Sequence, residues 1–441
     1  MNLLIFSTNN SSIKIQKESG RKKFRFSERV YLPKSVKTML DNSKLIDDKE
    51  LDFVEKSEEF HVDSQKLLFF LLGNASLLGF NIFINAIDIY SEVIGRSDVG
   101  AQINRAYNFP CSLMALFLCI YKPKNVRLIM MVSLFFISLI LCLLPLLIIM
   151  TFSPSFVYYG TLFLVGLTGI FSSAVFSSSY SISSQFSAES SASVSSGNGC
   201  CGVLAAFLRV FTKATFSSKS AMKVSSAAYF YLAAAIIFAT LIYFIFKIRN
   251  PEIASRVNPK NEESGKEQSM LSYDMKATVK AIYPLWMAVF TNFMITLSLF
   301  PGYVIMVPRL KNDESNWTPV IITTMFCVFD WIGRYFPAKI MWPSEKWAWV
   351  TPMIRFIFFP LEIMTIQKYV NIGEPLWTIF MMIPFALSNG YFGTVSIIYG
   401  SNYSTLTAEQ KRFAGLLMSF SVNAGILAAM GLTFVLPTPP K

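Results

Sequence analysis

Apolar runs about as long as a bilayer is thick recur along nearly the whole chain, and no other feature limits its possible folds so strongly. A spanning helix needs roughly 20 predominantly apolar residues, and segments such as "MMVSLFFISLILCLLPLLIIM" (130–150) meet that length without interruption. Of the 441 residues, 53% are hydrophobic and only 15% are charged. Ordinary soluble domains carry about 25% charged residues, so this chain has too few to cover a globular surface. It reads as an all-α polytopic membrane protein.

Hydropathy places eleven spans, near 67–90, 105–121, 126–150, 156–184, 194–214, 226–247, 281–307, 318–339, 348–367, 376–401 and 412–436. The resulting organisation is a polar N-terminal tail (1–65), spans one to six (66–247), a polar linker (248–280), spans seven to eleven (281–436) and a short C-terminus (437–441). The linker sequence "NPEIASRVNPKNEESGKEQS" has the composition of a disordered tether. Basic residues concentrate on one side: "YKPKNVR" (121–127), the 247–280 connector with seven Lys or Arg, and the loop bearing Lys339 and Lys346. By the positive-inside bias this side is cytoplasmic, which puts the N-terminus inside and Lys441 outside. Lys213, Lys219 and Lys223 fall on the outer side as an exception. The plasma membrane is the expected location.

Several function classes drop out. The formal charge of +12 comes from residues in the tail and short loops rather than one basic face with interleaved aromatics, so nucleic acid is not an expected partner. All six cysteines lie within apolar spans and the single histidine, His61, lies in the tail. Neither a disulfide framework nor a metal-ligand spacing results, and no cofactor is expected. The N-terminus "MNLLIFSTNNSS" lacks the basic region and apolar length of a cleaved signal peptide.

One stretch breaks the apolar rule. "TTMFCVFDWIGRYF" (323–336) carries Asp330 and Arg334 four apart, on one helix face. A lone charge near mid-membrane costs about 2.5–3.5 kcal/mol, so the pair must face protein or water. It could fix helix packing as a buried ion pair, or serve as a polar station in a solute path. Ionisable residues within a membrane favour the second reading. An intramembrane aspartyl protease would need two facing carboxylates sharing a proton, whereas Asp330 has an arginine one turn away. A channel filter would show rings of like groups, and no repeated filter sequence is present. Enzymatic chemistry is therefore not expected.

At these residues the chain resembles the equilibrative nucleoside transporter family. "FDWIGR" (329–334) is similar to the family's eighth-helix motif, "SLFPGYV" (298–304) to the Phe-Pro bend of the seventh helix, and "RFIFFP" (355–360) to the ninth-helix pattern. "FALSNGYFGT" (385–394) and "AGLLMSFSVNAGI" (414–426) resemble the tenth and eleventh helices, "LLGFNIFINA" (77–86) the first and "SGNGCCG" (196–202) the glycine-rich start of the fifth. That last run also matches a dinucleotide fingerprint, but without a βαβ context close helix packing explains the glycines better. The resemblance covers about 66–436. It implies a major-facilitator-like 6+5 arrangement that moves nucleosides or nucleobases, purines expected, by alternating access. Asp330 and Arg334 would contact substrate. Phe80 stands where the family has a first-helix tryptophan, keeping a face to stack on a base but losing the N–H donor. Phe176 and its neighbouring serines occupy the region of a base-reading glutamine, and Gln185 lies too near the helix end to replace it. The expected substrate-contacting set is Asp330, Arg334, Phe80, Asn81, Phe176 and Cys327.

The residue chemistry points the same way. A nucleoside is neutral, with a flat apolar face and an edge of donors and acceptors, and needs a dry stacking wall with few placed polar groups. A carrier of anions should show several mid-membrane arginines, and only Arg334 and Arg355 stand out, with Arg209 nearer a helix end. Another major-facilitator carrier of a small neutral solute, or a proton-coupled nucleoside transporter, is the alternative. Facilitated diffusion is the expected mode, because Asp330 has a fixed cation, Arg334, one turn away and no span holds a histidine. Asp88 reads as a solvated helix-end acid, and Asn389 with Gly390 as a packing point. Asn81 and Asn85 fit cavity lining and helix tying equally. Partners are the solute and the bilayer, with no obligatory protein partner evident.

Overall fold

The computed structural model describes residues 5–8, 11–18, 21–24, 48–96, 98–123, 125–150, 152–215, 219–258, 267–306, 317–369, 376–433 and 435–437. The chain divides into two units, Met1–Gln65 and Lys66–Lys441. The first contains a three-stranded antiparallel sheet in the order β1 (Ile5–Thr8), β2 (Ser11–Glu18), β3 (Arg21–Phe24). Ile5 pairs with Lys14 and Ile15 with Phe24. Alternating "SIKIQKE" has the two-residue period of a strand. The overall polarity of the tail conceals this sheet in the sequence.

The second unit is helical. In chain order, its helices and the one leading into it are α1 (Asp48–Asn85), α2 (Ile87–Ile94), α3 (Val99–Tyr121), α4 (Val126–Ile149), α5 (Pro154–Ser183), α6 (Ala188–Thr215), α7 (Lys219–Lys247), α8 (Pro251–Val257), α9 (Glu267–Leu299), α10 (Trp317–Tyr335), α11 (Thr351–Ile354), α12 (Phe358–Ile366), α13 (Leu376–Ser401) and α14 (Ala408–Leu432). Helix starts carry the expected signals. Asn125 and Ser153 accept backbone N–H bonds at the heads of α4 and α5, Pro154 takes the first helical position of α5, and Thr407 with Gln410 forms a capping box on α14.

Among the described residues, eight helices are long and apolar enough to cross a membrane, so this is a multi-pass membrane protein. The three other expected spans are built differently. Polar Gln102, Asn104, Arg105 and Asn108 dilute α3, and the Asp330–Arg334 pair dilutes the nineteen-residue α10. The 348–367 segment is broken into α11, a 3₁₀ turn over Arg355–Ile357, and α12. Pro360 supplies the physical cause, since it has no N–H to donate back to the preceding turn. The first expected span also breaks, at Ala86, before the short α2. The side chain of Asp88, on α2, lies outside the described residues.

Part of the 248–280 stretch is helical rather than unstructured. Asn250 caps α8 by accepting from the Glu252 N–H at 3.0 Å, Pro251 takes the first position, and Ile253 and Val257, one turn apart, are buried. Arg256 donates to the Gln185 carbonyl at 3.3 Å, and Arg412 of α14 donates to the Arg256 and Val257 carbonyls. The short helix is thus held by elements of both halves. The Asn-Pro start and the apolar pair four apart were the signal that overall polarity concealed.

Within the first half, α3 packs on α5 and α4 on both α5 and α7; within the second, α9 packs on α14 and α10 on α13. The halves meet where α6 lies on α10, and where α14 lies on α3 and α5. Single hydrogen bonds stitch the second seam: Ser419 Oγ to Ser177 Oγ at 2.8 Å, and Cys111 Sγ to Asn423 Oδ1 at 3.1 Å. Phe117, Phe163, Phe207 and Phe380 are exposed on helix faces turned away from these seams, as lipid-facing side chains must be.

Candidate functional site

A cavity of about 150 Å³ opens between the two halves, walled by α1, α3, α5 and α6 on one side and by α9, α10, α13 and α14 on the other. All six residues expected to touch solute line it: Asp330, Arg334, Phe80, Asn81, Phe176 and Cys327. They come from three helices, α1, α5 and α10, so folding alone brings them together.

The polar end is set by α10. Asp330 and Arg334 are both buried, with Arg334 Nε donating to Asp330 Oδ2 at 2.7 Å. The other oxygen, Oδ1, accepts from Asn389 Nδ2 at 2.6 Å, and Arg334 Nη2 lies at a marginal 3.5 Å from it. Arg334 also sits over the Phe293 ring, 5.9 Å from its centroid. Glycines allow the pair to be this deep. A methyl on Gly390 would overlap the Asp330 carbonyl, and one on Gly333 would overlap the Leu387 carbonyl, so α10 and α13 touch backbone to backbone. From α6, a methyl on Gly199 would press on Arg334 Cδ and Trp331 Cα, while Gly202 faces Cys327. Close packing is what the glycine-rich run in α6 provides.

Behind Asp330 the polar groups continue. Asn389 Oδ1 accepts from Asn292 Nδ2 at 2.9 Å and from Thr296 Oγ1 at 2.7 Å, and Asn292 Oδ1 accepts from Arg355 Nη1 at 2.7 Å. Arg355 is almost completely buried. Asn389, read from sequence as a packing residue, is therefore a direct partner of Asp330. Asn292 was missed, and no local sequence pattern marked it. Also missed was Glu362 on α12, buried with neither carboxyl oxygen hydrogen-bonded. It is not a cavity-lining residue.

The rest of the wall is aromatic and uncharged. Phe80 packs on Tyr107 with ring centroids 4.7 Å apart, and Phe300 stacks on Phe326 at 3.8 Å, 13° from parallel. Phe176 meets Tyr180 edge-on at 5.1 Å. Asn81 Nδ2 donates to the Leu77 carbonyl at 3.1 Å and Cys201 Sγ at 3.2 Å, and Asn85 donates to the Asn81 carbonyl at 2.8 Å. Both asparagines line the cavity, so each ties its own helix and faces the space. Gln185 donates to the Ala408 carbonyl at 2.8 Å, away from the cavity. Tyr107 Oη, Ser172 Oγ and Ser173 Oγ are buried at the cavity wall without a well-formed hydrogen bond. One end thus offers a carboxylate and a guanidinium, and the remainder offers rings with scattered hydroxyls and amides. That is a surface for a neutral solute with a flat face.

Comparison with known proteins follows the same line. A family model described as nucleoside transporter matches residues 247–437. Across 442 aligned residues the chain is 25% identical to equilibrative nucleoside transporter 1 of Homo sapiens, covering 83% of this chain and 95% of that protein. A shorter stretch of 156 residues is 35% identical to nucleoside transporter 1.2 of Leishmania donovani, 34% of this chain and 30% of that protein. Among solved structures, the Major Facilitator Superfamily transporter FucP in the outward conformation superposes with a TM-score of 0.53 at 13% identity, over 85% of this chain and 97% of that one. The human organic anion transporter MFSD10 gives 0.51 at 15%, over 85% and 92%. These two likenesses establish a major facilitator fold.

Proposed function

We propose that this chain, which belongs to the equilibrative nucleoside transporter family, carries nucleosides and nucleobases, purines among them, across a membrane by facilitated diffusion with alternating access. One observation carries the reading: a single cavity at the seam of two helical halves sets the Asp330–Arg334 pair against an uncharged aromatic wall. A vicinal diol has both donors and acceptors, matching a carboxylate that accepts and a guanidinium that donates. A base needs a ring to stack on, and Phe80 supplies one. The pair takes the sugar, and the aromatic wall with Asn81, Phe176 and Cys327 takes the base. Such a site binds and releases without covalent chemistry, so the protein is a carrier and not an enzyme.

The membrane arrangement belongs to the same proposal. Eight long apolar helices, together with α3, α10 and the broken α11–α12 segment, make eleven crossings. Loop charge then argues for the N-terminus and α8 in the cytoplasm and the C-terminus outside, with the plasma membrane as the proposed location. The test is uptake of radiolabelled adenosine, inosine, adenine and a sugar by proteoliposomes holding the purified protein. Saturable entry of the nucleosides, blocked by unlabelled nucleoside and halting at equal concentrations, is the expected result. Entry of the sugar with exclusion of the nucleosides would make this a carrier of another neutral solute.

A further inference from the structure

Arg355 is a buried cation with no carboxylate in contact among the described residues. Its Nε donates to Ser388 Oγ at 3.0 Å, Nη2 to the Phe385 carbonyl at 3.1 Å, and Nη1 to the backbone oxygen and Oδ1 of Asn292 at 2.9 and 2.7 Å. A bare cation in a span is expensive, and neither Arg355 nor Asn292 lines the cavity. Whatever Arg355 contributes to solute binding must pass through other residues.

The hydrogen-bond polarity shows a route. A guanidinium only donates, whereas an amide side chain has one accepting and one donating end. Arg355 therefore fixes the oxygen of Asn292 toward itself and turns Nδ2 toward Asn389 Oδ1, at 2.9 Å. With its oxygen taken there and by Thr296 Oγ1, Asn389 presents Nδ2 to Asp330 Oδ1 at 2.6 Å. That leaves Asp330 Oδ2 for Arg334 Nε. Without the donor at the head of this chain both amides are free to turn over. Asn389 would then set an oxygen against the carboxylate.

We propose that Arg355 is a positioning residue for solute binding, acting through Asn292 and Asn389 to hold Asp330 so that the outer N–H groups of Arg334 face the cavity. This rests on the reading that the Asp330–Arg334 pair takes the sugar diol. The readout is the ratio of kcat/KM for adenosine to that for 2′,3′-dideoxyadenosine, measured in proteoliposomes on monodisperse protein. A loss of packing slows both substrates alike and leaves this ratio unmoved.

Arg355→Met removes the donor at similar length and should lower the ratio at least about tenfold, the lower end of the worth of one hydrogen bond to a charged group. Arg355→Lys still only donates and should preserve it. Asn292→Asp keeps the acceptor for Arg355, gains an ion pair with it and loses the donor to Asn389. It should fold even where Arg355→Met does not, and should lower the ratio as well. An unchanged ratio in Arg355→Met or Asn292→Asp, with Arg334→Gln collapsing it, overturns the positioning role alone. An unchanged ratio in Arg334→Gln itself overturns the diol reading and the proposal with it.

Discussion

Replacing Arg334 by lysine separates the charge of this side chain from its shape. In the wild type one nitrogen, Nε, is committed to Asp330 Oδ2 at 2.7 Å, and among the described residues the Nη groups have only the marginal 3.5 Å approach to Oδ1. The planar fork can therefore bind Asp330 with one edge and a solute with the other. Lysine keeps the charge four residues from Asp330 on the same face, so the ion pair and the tight α10–α13 contact survive. Its single nitrogen must now serve both the carboxylate and the solute. The expected loss is at least one charge-assisted hydrogen bond to substrate, about 1.5–3 kcal/mol, or roughly a 10- to 150-fold fall in kcat/KM. Initial rates of labelled adenosine entry into proteoliposomes measure it, with a thermal melt on the same protein to show that folding is intact. Wild-type kcat/KM in a well-folded Arg334→Lys protein would refute the contact between guanidinium and solute.

Phe80 lines the cavity with its ring tilted 36° against Tyr107, centroids 4.7 Å apart, so Phe80→Ala should weaken substrate binding by about 1–3 kcal/mol, the range for base–aromatic stacking. Phe80→Trp should retain binding, and equal losses in both variants would point to packing instead. Gly390→Ala forces a methyl into the Asp330 carbonyl; it should cost about 1–3 kcal/mol by overpacking and lower the melting temperature, which an unchanged melt would contradict. Glu362 and Asp330 are the buried carboxyls among the described residues, and Asp330 is committed to Arg334 and Asn389. Facilitated diffusion therefore predicts that wild type and Glu362→Gln both stop at equal inner and outer adenosine under an imposed pH gradient. Accumulation in the wild type that an uncoupler abolishes would argue for proton coupling.

Membrane crossings are legible because lipid leaves little choice: a run of apolar residues near bilayer length must be a helix. A crossing that is not a regular apolar helix leaves a weaker mark in the sequence. Helix α3 carries four polar residues along its first half, and Pro360 cuts the 348–367 crossing into pieces too short to register as one element. Polarity misleads in the opposite direction at α8. There Asn250, Pro251, Ile253 and Val257 form a complete small helix signal inside a stretch whose average composition is that of a tether. Averages over twenty residues find membrane spans and erase seven-residue helices.

The site divides along a different line, between residues that are costly in lipid and residues that are not. Asp330 and Arg334 announce themselves because a charge in a span demands a reason, and being four apart they name each other. Phe80, Phe176 and Cys327 carry no such alarm and entered through resemblance to a family pattern. The amides Asn292 and Asn389 carry none either, and they find each other across 97 residues of chain, while Asn389 reaches Asp330 across 59. Helical periodicity places a residue on a face of its own helix but is silent on which neighbour that face meets. The costly ends of the network were therefore visible in the sequence as two arginines and an acid. The inexpensive middle, which decides how Asp330 is held, required the packing of α9 against α13.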